Sequence, residues 1–309
     1  MRIVISEFMD RAAVDALAAR FTVQYDPDLV DSADALAENA AGADALIVRN
    51  RTQVRGALLE RARRLRVVGR LGVGLDNIDV EACAARGIVV VPATGANAQA
   101  VAEYVIGTAM MLLRGAYTAT HEVASGAWPR PALSNGRELA GKTLGLIGFG
   151  GIGRLTGRLA RALGMAVVAH DPEVPRDSPV WRDESTTPRA LDALVAEADV
   201  VSLHVPLTDQ TRHLLDATAL AKMKPDAILV NTSRGGVVDE HALAVALRTR
   251  RLGGAALDVF EHEPLPARST LADCPNLLLT PHIAGVTRES NERVSSLIAQ
   301  RVAAALEGR

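Results

Sequence analysis

An arginine, a glutamate and a histidine each follow a short apolar run in the second half of this 309-residue chain. Arg234 follows the run AILV, Glu263 follows AALDV, and His282 follows LLLT. If these runs are parallel strands of one sheet, the three side chains lie at the edge where ligands of open α/β sheets bind. An arginine binds a carboxylate through paired N–H donors, an imidazole transfers protons, and a carboxylate orients the imidazole. The set predicts acid–base chemistry on a small carboxylic acid.

A glycine-rich turn precedes these residues in the chain. The segment GFGGIG has Gly148, Gly150 and Gly153 at the positions of a GxGxxG motif, between the apolar run TLGLI and a helix-forming stretch. Such glycines permit a tight turn and let the backbone approach a pyrophosphate at the N-terminus of the helix. Asp171 follows the next strand, close to the spacing of about 20 residues expected for the acid that binds the ribose. The turn predicts NAD binding and, with the three side chains, hydride transfer to a 2-oxo acid.

Two alternatives to this interpretation remain open from the residues alone. The glycines can serve only close helix–strand packing, with Asp171 capping a turn before Pro172. His170 and Arg176 flank Asp171 and could bind a 2'-phosphate, which leaves NADP as an alternative cofactor.

The elements that must position these groups form a regular alternation. Apolar runs rich in β-branched residues are separated by helix-forming stretches, which is typical of βαβ units. The hydrophobic fraction is 49% but the aromatic fraction is only 3%, as expected for parallel sheets covered by Ala-rich helices. We expect an α/β fold with two doubly wound, Rossmann-like parallel sheets. The expected strands are Ile3–Ile5, Phe21–Tyr25, Ala45–Val48, Arg66–Val68 and Ile88–Val91 in the first domain, and Thr143–Ile147, Ala166–Ala169, Val200–His204, Ile228–Val230, Ala255–Val259 and Leu277–Thr280 in the second.

Composition excludes several classes of protein. The net charge of -2 comes from 34 basic and 36 acidic residues mixed along the chain, so neither nucleic acid nor an anionic membrane is an expected partner. The only cysteines, Cys83 and Cys274, have no ligand spacing, so no metal site and no disulfide framework are expected. The opening MRIVISEFMD lacks the pattern of a signal peptide, and no run of about 18 apolar residues occurs. A cytoplasmic enzyme is the expectation.

Seven segments together resemble the D-2-hydroxyacid dehydrogenase family, in particular its phosphoglycerate-dehydrogenase-like members. They are RLGVGLDNID, VAEYVIG, GKTLGLIGFGGIG, HVPLTDQT, NTSRGGVVDE, GAALDVFEHEP and LTPHIAG. The resemblance implies a substrate-binding domain made of residues 1–97 and 286–309. An NAD-binding domain of residues 98–285 would be inserted between them, and residues 98–140 would form a dimerisation element.

The resemblance also implies roles for individual residues. Arg234, Glu263 and His282 take the positions of the family's catalytic groups. The backbone of Gly72, Val73 and Gly74 would bind the substrate carboxylate, as glycine-rich backbone can. The implied cofactor contacts are Gly148, Gly150, Gly151, Ile152, Gly153, Asp171, Val205, Pro206, Thr211, Thr232, Ser233, Asp258 and Gly285.

Arg49, Asn50 and Arg51 follow a strand of the first domain, where phosphoglycerate-dehydrogenase-like relatives bind the far end of the substrate. Two arginines there suggest a second anionic group, although both can also be solvated surface charges. This segment looks most like bacterial sulfolactate dehydrogenases, so 3-sulfolactate is the expected substrate, with 3-phosphoglycerate, hydroxypyruvate or glyoxylate as alternatives. The stretch from Val101 to Leu139 carries apolar residues that would form an exposed patch, and a homodimer is expected. Those residues are Tyr104, Val105, Met110, Met111, Leu112 and Leu113.

Two other functions compete with this interpretation. Some transcriptional corepressors share the fold and bind NAD, but this chain keeps all three candidate catalytic groups. Related enzymes that oxidise formate or phosphite need no binding site for a far-end anion, so Arg49 and Arg51 count against them.

Overall fold

The computed structural model describes residues 1–308 and divides the chain into two compact units. The first unit comprises Met1–Asn97 and the segment that starts at Val286. The second unit comprises Ala98–Gly285. The role of each unit in binding substrate or cofactor remains a prediction.

The first unit is a five-stranded sheet with the strand order β2-β1-β3-β4-β5, in which all pairs are parallel. Helices connect the strands and a C-terminal helix returns to the sheet. The strands are β1 Arg2–Ile5, β2 Thr22–Tyr25, β3 Ala45–Val48, β4 Val67–Arg70 and β5 Val89–Pro92, and the helices are α1 Arg11–Ala18, α2 Ala33–Ala41, α3 Gly56–Arg61, α4 Val80–Ala85 and α13 Arg288–Glu307.

Both faces of this sheet are buried, because successive side chains of each strand point to opposite faces. Ile3 and Ile5 pack against α1 and α13, whereas Val4 packs against α2, α3 and α4. Gly69 of β4 permits close packing of α13, since a Cβ there would lie 2.7 Å from Val302 Cγ2. The C-terminal helix is therefore part of the core of the first unit.

The second unit is a seven-stranded parallel sheet with the order β12-β11-β10-β9-β6-β7-β8. After β8 the chain crosses back over the sheet to β9, which pairs with β6, so the strand order reverses between β6 and β9 as in a doubly wound fold. The strands are β6 Thr143–Ile147, β7 Ala166–His170, β8 Thr187–Pro188, β9 Val200–Leu203, β10 Ile228–Asn231, β11 Gly254–Leu257 and β12 Leu277–Leu279. The helices are α5 Ala98–Arg114, α6 Thr120–Ala124, α7 Arg130–Leu133, α8 Gly151–Ala162, α9 Val180–Asp183, α10 Leu191–Glu197, α11 Ala217–Lys222 and α12 Glu240–Arg248.

The two sheets confirm the predicted fold class, and two local expectations are wrong. The second sheet has a seventh strand, β8, which was missed because its two residues form no apolar run and include Pro188. The polar stretch after α5, whose glycines and prolines at Gly126, Pro129, Pro131 and Gly136 predict no regular element, contains a 3-10 turn at Ala116–Ala119 and the short helices α6 and α7. Pro131 in the first turn of α7 is compatible with a helix start.

The expected apolar patch on α5 is smaller than predicted. Val105, Leu112 and Leu113 are buried in the core of the second unit, where α5 packs against α8 and the sheet. Met110 and Met111 are exposed by 43% and 41%. The patch was overestimated because most apolar residues of this helix pack into the core of its own unit. Of the helices described, none combines the length and apolar character needed to cross a membrane.

Candidate active site

His282 and Glu263 are in direct contact at the edge of the second sheet. His282 Nδ1 lies 2.7 Å from Glu263 Oε2, and the two side chains are exposed by 44% and 34%. The other carboxylate oxygen, Oε1, accepts a hydrogen bond from the backbone N–H of Phe260 at 3.1 Å, which fixes the carboxylate. A carboxylate at Nδ1 orients the imidazole and favours the tautomer with the proton on that nitrogen. The arrangement leaves Nε2 as the nitrogen that can exchange a proton with a ligand.

Arg234 lies on the loop after β10, and a buried asparagine shapes this loop. Asn231 accepts hydrogen bonds through Oδ1 from the backbone N–H and the hydroxyl of Ser233, and it donates through Nδ2 to the carbonyl of Arg234. The side chain of Arg234 donates to the carbonyl of Ser233 at 2.6 Å. The sequence contains Asn231 in the NTSRGG segment, but its type gave no indication that it organises the loop.

Close backbone packing connects the Arg234 loop to the Glu263 loop. A Cβ added to Gly235 would lie 1.8 Å from the carbonyl oxygen of Phe260, a distance that no side chain can occupy. Strand β10 pairs with β11, and β11 pairs with β12, so the loops of Arg234, Glu263 and His282 follow three neighbouring strands. The structure therefore brings the three predicted side chains to one sheet edge, as the order of strands requires.

The glycine-rich turn has two kinds of glycine. Gly148 has a φ of +95°, and a Cβ there would lie 2.6 Å from the carbonyl oxygen of His204; a Cβ on Gly153 would lie 2.3 Å from Gly148 O. These two glycines serve the tight turn and its packing. Gly150 and Gly151 have no atom within 4 Å of an added Cβ, and α8 has no side-chain cap at Gly150. The open backbone at the start of α8 fits a pyrophosphate.

Other residues of this edge also fit NAD. Asp171 Oδ2 accepts a hydrogen bond from the backbone N–H of Phe149 at 2.7 Å, and Oδ1 accepts one from that of Glu173 at 3.0 Å. These bonds hold the carboxylate beside the turn. Thr232 Oγ1 is buried and has no hydrogen-bond partner within residues 1–308, so it is available to a ligand. A bound dinucleotide would supply a partner for that hydroxyl and ribose hydroxyls for Asp171.

The remaining predicted cofactor contacts lie around the same edge, and one of them, Asp258, is 1% exposed and accepts hydrogen bonds from Thr280, Ile283 and Ala284. Val205 and Pro206 follow β9, and the hydroxyl of Thr211 donates to the carbonyl of Pro206 at 2.6 Å. Ser233 uses its hydroxyl within the Asn231 network. Ile152 is in the first turn of α8, and Gly285 ends the second unit. Their contacts with the cofactor remain predictions.

His204 lies beneath the glycine-rich turn and is uncharged at neutral pH. Burial lowers the pKa of its imidazole to about 4. His204 Nε2 lies 3.0 Å from the hydroxyl of Ser202, which satisfies that nitrogen. The backbone of His204 packs against Gly148, so this histidine supports the turn without adding charge next to it.

In the first unit, a buried glutamate organises the loop of the predicted substrate arginines. Glu7 Oε1 accepts the backbone N–H groups of Arg49 and Thr52 at 2.8 and 3.0 Å, and Oε2 accepts that of Arg51 at 3.2 Å. Asn77 donates to the carbonyls of Arg49 and Thr52. Sequence reasoning missed both Glu7 and Asn77, because neither is near the loop in the chain.

The two arginine side chains of this loop have different environments. The guanidinium of Arg49 lies over the ring of Phe8 and donates to Asn291 Oδ1 at 3.2 Å; burial lowers the pKa of Arg49, and nearby Glu7 opposes that shift. Arg51 forms an exposed ion pair with Asp31. Asn50 is exposed and Val73 is 37% exposed, with Gly72 and Gly74 half-buried on either side.

Known proteins resemble this chain over almost its whole length. Residues 106–284 match the family model described as D-isomer specific 2-hydroxyacid dehydrogenase, NAD binding domain. The (S)-sulfolactate dehydrogenase of Chromohalobacter salexigens is 56% identical over 304 residues, which cover 98% of this chain and 98% of that protein. Hydroxypyruvate reductase of Thermotoga maritima is 38% identical over 304 residues, 97% of each chain.

Solved structures support the same assignment. The structure of D-lactate dehydrogenase from Aquifex aeolicus, complexed with NAD and lactic acid, superposes with a TM-score of 0.86 at 28% identity and covers 100% of this chain and 96% of that one. The predicted resemblance and the predicted cofactor, NAD, are confirmed. This chain belongs to the D-isomer specific 2-hydroxyacid dehydrogenase family and is an NAD-dependent oxidoreductase that acts on the CH–OH group of a small anionic 2-hydroxy acid.

Proposed function

We propose that this enzyme interconverts 3-sulfolactate and 3-sulfopyruvate. The observation that carries the proposal is the 56% identity with an (S)-sulfolactate dehydrogenase across 98% of both chains. The charges of the Arg49–Arg51 loop support it independently.

Three side chains divide the chemistry. When bound, the nicotinamide supplies the hydride to C2 of the oxo acid or accepts it from the hydroxy acid. Arg234 binds the substrate carboxylate through paired N–H donors and polarises the adjacent carbonyl. His282 donates the proton from Nε2 to the C2 oxygen during reduction and removes it during oxidation. Glu263 contacts Nδ1 of His282 at 2.7 Å and orients the imidazole for this proton transfer.

The charge of the Arg49–Arg51 loop favours a sulfonate over a phosphate. The exposed ion pair with Asp31 partly offsets the charge of Arg51, so Arg49 is the cation of this loop that is best placed to bind the far end of a substrate. Phe8 and Asn291 hold the guanidinium of Arg49 in place. A sulfonate carries one negative charge, whereas a phosphate monoester carries about 1.5 to 2 at neutral pH. One fixed cation matches the charge of the sulfonate.

The substrate proposal is tested by NADH consumption with 3-sulfopyruvate, 3-phosphohydroxypyruvate, hydroxypyruvate and glyoxylate. We expect kcat/KM to be highest for 3-sulfopyruvate, by about tenfold or more, the factor given by about 1.4 kcal/mol of differential binding. A higher kcat/KM for 3-phosphohydroxypyruvate would replace sulfolactate with phosphoglycerate as the substrate.

Replacing Arg49 with glutamine separates binding of the far-end anion from the reaction itself. We expect kcat/KM for 3-sulfopyruvate to fall about 10- to 100-fold, since a hydrogen bond between charged groups contributes about 1.5–3 kcal/mol. Glyoxylate has no far-end anion, so its kcat/KM should stay within about twofold of the wild-type value.

The matched variant Asp31→Asn leaves Arg49 in place and frees Arg51 from its ion pair. It should raise kcat/KM for 3-phosphohydroxypyruvate relative to 3-sulfopyruvate. Asp34→Asn, an exposed change on α2, serves as the control. An equal loss on glyoxylate and 3-sulfopyruvate in Arg49→Gln would show that Arg49 does not bind the far-end anion.

We further propose that the enzyme is a cytoplasmic homodimer formed through residues 98–140. The exposed side chains Met110, Met111, Tyr117, Val123 and Trp128 would be covered by a second copy, and Trp128 alone is exposed by 74%. Cys83 and Cys274 are free thiols, as is usual in a reducing compartment. Light scattering should give twice the chain mass of 32.6 kDa. A mass of one chain at micromolar concentration would refute the dimer.

A further inference from the structure

We infer that Tyr104 and Thr280 are positioning residues for His282. They act through the buried carboxylate of Asp258, which holds the loop that carries the imidazole. The inference rests on the proposed role of His282 as the proton donor.

A chain of hydrogen bonds connects helix α5 to this loop. The hydroxyl of Thr280 donates to Asp258 Oδ1 at 2.6 Å, and the hydroxyl of Tyr104 lies 2.6 Å from Thr280 Oγ1. Because the single hydroxyl proton of Thr280 is directed at the carboxylate, Tyr104 is the donor in the second contact. Donors arranged in series toward a carboxylate polarise and strengthen one another at a buried position.

Asp258 holds the loop on the other side of His282 as well. Its Oδ1 accepts the backbone N–H of Ile283 at 2.8 Å, and its Oδ2 accepts that of Ala284 at 2.7 Å. Asp258 is only 1% exposed, so water does not replace these contacts. One carboxylate therefore fixes the residue two positions before His282 and the two residues after it.

The backbone of His282 needs this restraint. Its φ is +55°, in the left-handed region that residues other than glycine rarely adopt. Such a conformation persists where surrounding contacts determine it, and it is found at functional sites. The hydrogen bonds to Asp258 are those contacts, and they fix the direction in which the imidazole leaves the backbone toward Glu263.

Tyr104 is well placed to anchor the chain. It lies on α5 next to Val105, which is fully buried in the core of the second unit, so the helix provides a rigid support. Burial raises the pKa of Tyr104, and the phenol remains a protonated donor at neutral pH. The apolar role expected for Tyr104 from the sequence is thus incomplete, because its hydroxyl is used inside the unit.

Four variants test the inference in the full-length enzyme. Tyr104→Phe and Thr280→Val each remove one hydroxyl with little change of shape, and Thr280→Ser restores the hydroxyl. Thr108→Val is the matched control: Thr108 is also on α5 and buried, but its hydroxyl donates to the carbonyls of Tyr104 and Val105 in the same helix. His282→Gln serves as the reference for loss of the proton donor.

We expect kcat to fall about fivefold in Tyr104→Phe, which loses one hydrogen bond between neutral groups. In Thr280→Val it should fall about tenfold or more, because the lost hydrogen bond is made to a carboxylate. The KM for the oxo acid and the Kd of NADH should stay within about twofold. The solvent deuterium isotope effect on kcat should increase, because proton transfer becomes slower. Thr280→Ser should recover most of kcat, and Thr108→Val should behave like the wild type.

Hydrogen exchange provides a readout that does not depend on turnover. The amides of Ile283 and Ala284 should exchange faster in Tyr104→Phe than in the wild type or in Thr108→Val, although Tyr104 lies far from them in the chain.

Two results would overturn the inference alone, given that His282→Gln is strongly impaired. One is wild-type kcat and exchange in both Tyr104→Phe and Thr280→Val. The other is a fall in kcat that is fully explained by a smaller fraction of enzyme able to bind NADH, while the solvent deuterium isotope effect stays unchanged. Full activity of His282→Gln would instead overturn the proton-donor role and this inference with it.

Discussion

Replacing His282 with glutamine should lower kcat by about 10²- to 10⁴-fold, the range that positioned general acid–base catalysis contributes. Glutamine keeps a polar side chain of similar length but cannot transfer a proton at neutral pH. The Kd of NADH should change little, since His282 lies outside the glycine-rich turn. Steady-state rates with 3-sulfopyruvate and fluorescence titration with NADH measure the two effects separately.

His241→Gln is the control for this prediction. His241 is an exposed histidine on α12, and its replacement should leave kcat unchanged. A positioned acid–base group contributes at least about 100-fold to the rate. If His282→Gln retains more than about a tenth of the wild-type kcat, the loss is smaller than that, and another group must donate the proton.

Replacing Arg234 with glutamine should lower kcat/KM by about 10²- to 10³-fold for every oxo acid tested. The substitution removes a donor directed at the charge that develops on the substrate oxygen, and removal of such a donor typically has an effect of this size. In contrast to Arg49→Gln, the effect should be equal for glyoxylate and 3-sulfopyruvate, because both have a carboxylate next to the carbonyl. Steady-state kinetics with both substrates measures it.

Arg234→Lys should recover only part of the activity, since an ammonium group keeps the charge but not the paired N–H donors. Arg251→Gln, an exposed change on the loop after α12, is the matched control. A loss that is much larger for 3-sulfopyruvate than for glyoxylate would assign Arg234 to the far-end anion rather than to the carboxylate.

The backbone of the sheet edge that carries Arg234, Glu263 and His282 could be predicted from the sequence, because the pattern of strands determines it. Apolar runs gave β10, β11 and β12 to within two residues, and parallel pairing of neighbouring strands then placed the loops of Arg234, Glu263 and His282 at one edge. The glycine-rich turn and Asp171 were recognisable for the same reason, since their spacing is local in the chain.

The contacts that position the side chains could not be predicted in this way. Tyr104 and Thr280 are 176 positions apart, and Glu7 is 42 positions from Arg49. Spacing along the chain gives no information about which of many hydroxyls or carboxylates meets a given loop, because tertiary packing decides it. The pairing of Arg51 with Asp31 is a similar case, because the two residues are 20 positions apart and nothing in their spacing indicates the ion pair.

The most direct test of the account is a crystal structure of the enzyme with NADH and a non-reactive analogue of 3-sulfopyruvate. We expect Nε2 of His282 within about 2.6–3.2 Å of the oxygen on C2, and C4 of the nicotinamide about 3–3.5 Å from C2. The carboxylate should be bound by Arg234 and the sulfonate by Arg49. An imidazole of His282 that points away from the C2 oxygen while NADH and the analogue are both bound would contradict the account.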